Sequence, residues 1–102
     1  MHTIRLRGAW ANTTTESTVR HSRNFGWLAT LDPGDQLWLI CTQIPGPCQV
    51  ILNEVVVVTV PEAGPFAHEI TGDVHTRNMV TFVVASPEPL GEVTLEVRSP
   101  LE

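Results

Sequence analysis

Polar and apolar residues alternate along much of this chain. In Glu92-Val93-Thr94-Leu95-Glu96-Val97-Arg98 the apolar side chains fall at every second position, the spacing of a strand with one face buried and the other in water. Ile4 and Leu6 alternate in the same way with Thr3, Arg5 and Arg7. Leu37 to Cys41 and Val80 to Val84 are more continuously apolar, which predicts central strands covered on both faces. Gln49 to Leu52 and Val55 to Val60 complete the main set, and Ser17 to His21 and Phe66 to Ile70 are weaker strand candidates.

Turn residues divide these runs. Asp32-Pro33-Gly34-Asp35, Pro45-Gly46-Pro47 and Pro61 to Pro65 combine prolines that preset φ with glycines free to adopt positive φ, and the prolines of Pro87-Glu88-Pro89 mark a further break. No window shows a helical stripe, although Thr71 to His75 could form one short helical turn capped by Thr71. Asn53-Glu54 stands where a two-residue hairpin would want Asn-Gly, because glutamate at positive φ is unfavourable, so a distorted or longer connection is expected. The pattern predicts an all-β fold, an antiparallel sandwich or barrel of about eight short strands.

The run Val55-Val56-Val57-Val58-Thr59-Val60 has no charge and no proline. Exposed, it would be an aggregation hazard. It is therefore expected to be covered on both faces or to form a subunit contact, with Glu54 and Glu62 as flanking gatekeepers.

The order of residues on these strands resembles a known family. Leu37-Trp38-Leu39-Ile40, Ile44 and Val50-Ile51-Leu52-Asn53 match an apolar strand, a turn, and a strand ending in Asn-Gly. Pro65 to Val74 is similar to a Pro-Phe-x-x-Asp-Ile-Thr-x-Leu-Leu segment, Arg77 to Val84 to a Gly-Asn-x-Leu strand, and Gly91 to Leu95 to a closing strand. Gly8-Ala9-Trp10 and Arg23 to Trp27 match more loosely. On these residues the chain resembles the galactose-binding-like jelly roll, in particular the N-terminal sugar-binding domain of the family 2 glycoside hydrolases. The resemblance implies a jelly-roll β-sandwich, read as one domain over residues 1–100; the terminal Leu101-Glu102 is read separately as a possible vector-derived tail. It does not carry over hydrolase activity, since no catalytic barrel follows in this sequence.

Composition narrows the function. The formal net charge is −5, with six arginines and no lysine, which argues against nucleic acid or anionic lipid as a partner. No apolar stretch approaches the roughly 20 residues of a membrane helix. No secretory signal precedes the first strand, so a cytoplasmic location is expected. Cys41 and Cys48 read as two buried thiols in preference to a disulfide, and further cysteines at zinc spacing are absent.

Catalysis and metal binding find little support. The carboxylates Glu54, Glu62, Glu69, Asp73, Glu92 and Glu96 form no recognisable acid–base pair, and no Ser-His-Asp motif or phosphate loop is present. His68, Glu69, Asp73 and His75 are close in sequence, but His68 and Glu69 would point to opposite faces of a strand. No metal, no cofactor and no enzymatic activity are expected. A pyranose has apolar C–H faces and a rim of hydroxyls, so sugar sites pair an aromatic face with planar hydrogen-bonding groups. His21, Arg23, Asn24 and Trp27 supply these within seven positions and are the candidate ligand-binding set. Trp10 with Asn12 is the second choice, and Trp38 is assigned to the core. The leading reading is a non-catalytic, carbohydrate-binding module. The alternative is a protein-interaction or structural sandwich that dimerises through Val55 to Val60.

Overall fold

The computed structural model describes residues 2–8, 10–27 and 31–99. The tail at 101–102 lies outside the described residues. Among the described residues there are nine strands: β1 (His2–Arg5), β2 (Ala11–Thr15), β3 (Thr18–Gly26), β4 (Gln36–Ile44), β5 (Cys48–Leu52), β6 (Val55–Val60), β7 (Gly64–Glu69), β8 (Arg77–Val84) and β9 (Val93–Arg98). They form two sheets, ordered β1-β9-β4-β7 and β2-β3-β8-β5-β6. Every pairing is antiparallel. The fold is an all-β sandwich, as the alternation predicts.

The inner faces follow from strand parity. Leu37, Leu39 and Cys41 of β4 and Leu95 of β9 are buried against Val50 and Leu52 of β5 and Val80, Phe82 and Val84 of β8. Phe66 of β7 meets Phe82 edge-on, with centroids 6.1 Å apart, and so joins the two layers. Burying side chains of this size stabilises the fold by about 1.5–3 kcal/mol each.

Parity also corrects the reading of Trp38. Once Leu37 and Leu39 point inward, Trp38 must point outward, and it lies half-buried on the outer face of its sheet. The Arg98 guanidinium covers its ring at 4.3 Å from the centroid, and Glu96 holds Arg98 in place at 2.8 Å. The outward residues of the two central strands are thus shielded by neighbours in their own sheets: Trp38, Ile40 and Val83 are half-buried, while Thr81 is buried. Among the described residues no third layer covers them.

Two connections depart from the simplest course. β4 and β5 do not form a hairpin, since the segment at Pro45 to Pro47 carries the chain from one sheet to the other. Cys41 and Cys48 therefore sit on facing layers, both as buried free thiols. The segment after β7 is a turn closed by the Asp73 amide on the Ile70 carbonyl, at 2.9 Å, and not a helical turn. Thr71 caps nothing there; its hydroxyl accepts from the Leu37 amide at 3.0 Å and donates to Glu69 at 2.7 Å.

The valine run is an edge strand. Val55 is 61% and Val56 48% exposed, while Val57, Val58 and Val60 pack against the core. Among the described residues the expected cover on both faces is missing, since Val55 and Val56 stand open, and β6, the last strand of its sheet, also has β5 on one side only. Gly91 lies where the backbone leaves no room for a side chain. A side chain there would run into the Thr42 hydroxyl and the Gln43 amide, where β4 bulges between Cys41 and Ile44.

Candidate functional site

Asn53 and Glu54 are the first unusual feature. Leu52 pairs with Val55, so the β5–β6 connection has two residues, both left-handed, with φ of 52° at Asn53 and 71° at Glu54. This tight turn replaces the distorted or longer connection expected from the sequence. Asparagine tolerates this conformation, and here its side chain is also bound. Its Oδ1 accepts from the Met79 amide at 2.9 Å. Its Nδ2 donates to Asn78 Oδ1 at 2.9 Å and to the Asp73 carbonyl at 3.3 Å. Glu54 has no such compensation, so its left-handed backbone costs about 1–2 kcal/mol.

Asn78, on the inward face of β8, is the hub of this corner. It is buried; its Oδ1 also accepts from the His75 amide at 2.7 Å, and its Nδ2 donates to the carbonyls of His75 and Phe25 at 2.8 and 3.4 Å. Every polar atom of its amide is paired. The network ties the β5–β6 turn, the β7–β8 connection and the end of β3 into one rigid corner.

That corner carries a groove of about 790 Å³, lined by residues of β3, the β5–β6 turn and the start of β8. Asn24 pairs with Met79 and Gly26 with Arg77 across β3 and β8, so these four share the outer face. Gly26 has no side chain to fill the space beside Arg77. The 48%-exposed Met79 supplies the open apolar surface, while Phe25, turned inward and 7% exposed, reaches the groove only at its edge. Since the amides of Asn53 and Asn78 are consumed internally, the side chains available to a ligand are Asn24, Glu54, His75 and Arg77. None of the last three is ion-paired with a described residue.

The candidate set proposed from sequence divides between places. Asn24 lines this groove. His21 and Arg23 lie on the opposite, inward face of β3, because residues two apart share a face and neighbours do not. Arg23 donates to the backbone carbonyls of Gly8, Asn24 and Arg7 at 3.2, 3.0 and 3.1 Å, and so fastens the β1–β2 connection. Trp27 follows β3, half-buried against the core, with its amide bound to the Thr76 carbonyl at 3.0 Å.

His21 lines a second cavity of about 400 Å³ with Trp10 and Asn12. Its Nδ1 lies 2.9 Å from Asn12 Oδ1, and burial lowers its pKa below the usual histidine value. Trp10 donates its indole N–H to the Leu6 carbonyl at 2.8 Å and tilts against Phe82.

Glu54, His75, Arg77 and Met79 were not chosen from sequence. The improbable glutamate after Asn53 was the one local signal pointing to this corner. Among the described residues no three of His, Cys, Asp and Glu come together as a metal ion would require. No helix there is long and apolar enough to cross a membrane.

Comparison with solved structures finds a likeness to an FMN-binding β-glucuronidase from Facaelibacterium prausnitzii L2-6. The TM-score is 0.67 and the identity 18%, over 80% of this chain and 16% of that one. The likeness is one of fold: this β-sandwich is similar to a part of a much longer glycoside hydrolase. No protein-family model and no curated protein matches the chain.

Proposed function

We propose that the chain is a non-catalytic binding module of the galactose-binding-like jelly-roll kind, with carbohydrate as its ligand. The observation that carries this reading is the groove at the β3–β8 corner. It sets an amide, a carboxylate, an imidazole and a guanidinium around the apolar surface of Met79. Hydroxyls need both donors and acceptors, and a sugar ring needs an apolar face to rest on; the groove offers all three. Its volume falls within the range of about 300–1,000 Å³ typical of small-molecule sites. The rigid Asn53–Asn78 network supports it by holding the groove in shape before a ligand arrives. Similarity of fold to part of a β-glucuronidase is consistent with a carbohydrate-related role.

The test is an amide chemical-shift titration against a panel of mono- and oligosaccharides. Saturable shifts are expected at Asn24, Glu54 and Arg77, and Arg77→Ala should weaken binding about 10- to 100-fold, the effect of losing a hydrogen bond to a charged group. No shifts at millimolar sugar would refute the reading.

The exposed edge strand β6 supports a second reading, self-association. Antiparallel pairing of two copies centred on Val58 would, however, set each Glu54 directly opposite the Glu62 of the second copy. Like charges so placed oppose pairing. Sedimentation equilibrium tests it: a dimer abolished by Val56→Lys supports self-association, and a monomer at all concentrations excludes it.

A further inference from the structure

The apolar surface of the groove does not end at Met79. Met79 and Thr81, two apart on β8, share the outer face of their sheet. Thr81 pairs with Ile51 of β5, and Ile51 pairs with Val56 of β6. Met79 and Ile51 are therefore diagonal neighbours, within reach of a long side chain. Together Met79, Ile51 and Val56 make a strip that crosses three adjacent strands, two strand spacings or about 10 Å. Met79 and Val56 stand open and Ile51 is half-buried. Val56 faces outward while Val57, Val58 and Val60 pack against the core.

The strip carries no hydrogen-bonding side chain of its own. The hydroxyls of Ser22 and Thr81, which border it, engage each other at 2.9 Å, and Thr81 is buried. Polar side chains resume one row further along the sheet, where the exposed Arg20, Gln49 and Thr59 are set around Val83. At its other end the strip runs into the groove, where Asn24 stands opposite Met79.

Size and chemistry select the occupant. A protein partner of ordinary affinity covers about 800 Å² per side with some 20–30 residues, far more than three side chains. A further sugar ring would find an apolar face but none of the polar groups that fix its rim. An aliphatic or aromatic group needs only the apolar face. We propose that the groove and the strip together bind an amphiphilic glycoside: the sugar occupies the groove, and an apolar aglycone attached to it lies across Met79, Ile51 and Val56. This rests on the sugar-binding reading of the groove and adds the class of molecule that carries the sugar.

The experiment titrates methyl and n-hexyl β-glycosides of glucose, galactose and glucuronic acid, in pairs, into protein labelled at its amides and at its Ile, Val and Met methyls. For at least one sugar, both members should shift the Asn24 and Glu54 amides, and only the hexyl member the Ile51 and Val56 methyls. Each buried methylene tightens binding roughly fourfold, so burying two of those added gives at least about tenfold. Val56→Thr keeps a branched side chain suited to a strand and should lower the hexyl-to-methyl ratio at least twofold. If that variant does not fold, the pairs on the unmodified protein still decide. Equal affinities within every pair that shifts the groove overturn the aglycone site and leave the sugar reading standing, whereas no shifts from any glycoside overturn both. The aglycone site also falls if 1-hexanol alone shifts the Ile51 and Val56 methyls at the same concentrations. Methyl cellobioside or methyl lactoside gaining as much as the hexyl glycosides would assign the strip to a second sugar ring and overturn it. Broadening at Ile51 and Val56 that grows with protein concentration, without glycoside, would assign the strip to a second copy and overturn it likewise.

Discussion

Glu54 and Asn53 occupy the two central positions of one turn, and replacing each by glycine should move stability in opposite directions. At Glu54, with φ of 71°, glycine relieves a left-handed strain of about 1–2 kcal/mol. The looser unfolded chain takes back about 0.4–1 kcal/mol. Glu54→Gly should therefore stabilise the protein by about 0.5–1 kcal/mol, raising Tm by roughly 4–8 °C per kcal/mol for a domain of this size. At Asn53 there is little strain to relieve, and glycine removes hydrogen bonds to the Met79 amide, Asn78 Oδ1 and the Asp73 carbonyl. Their combined loss should cost about 1–3 kcal/mol. Urea unfolding followed by tryptophan fluorescence reads both, with midpoints shifting at constant m. The same Glu54→Gly protein should bind sugar more weakly, since it loses a groove carboxylate. A destabilised Glu54→Gly, or an Asn53→Gly as stable as the parent, would refute the account of this turn.

Other outcomes follow from buried titratable groups. Burial pushes the Cys48 thiol up to about 12, with neighbouring Cys41 adding to the effect, and burial raises Cys41 also. Because the thiolate is the reactive form, Ellman's reagent at mildly alkaline pH should label neither cysteine until the protein is unfolded; a thiol reacting at the free-cysteine rate contradicts this. The depressed pKa of His21 leaves stability intact above the ordinary histidine value of 6.5. As pH falls below that, the unfolded chain takes up a proton the folded one resists, so stability drops by up to about 1.4 kcal/mol per pH unit until the folded pKa is reached. Arg7 and Glu92 are the charged groups lining the same cavity. Urea midpoints measured from about pH 7.5 to 5.5 should show the fall, and His21→Phe should flatten it.

Strand identity was legible wherever one face is buried. β4, β5, β8 and β9 carry their alternation openly, because each places apolar residues on the inner layer. β2 was not legible, since Ala11 to Thr15 is exposed throughout and is a strand only by pairing with β3. The full length of β3 was hidden for a related reason: its inward positions include His21 and Arg23, polar residues that interrupt the apolar pattern. The candidate set drawn from this stretch joined residues close in sequence, while strand parity sends His21 and Arg23 to one face and Asn24 to the other.

By itself, then, the sequence determined the all-β character, the main strands and most of the turns, because these depend on periods and dihedral preferences spanning a few residues. The tertiary structure alone decided where β4 and β5 part into separate sheets, that the valine run stands at an edge, and which side chains meet at the groove. Asn24, Glu54 and Arg77 lie far apart along the chain and come together only through the register of β3 on β8 and of β5 on β8. Such register depends on how two layers share one core, and no local window contains both layers.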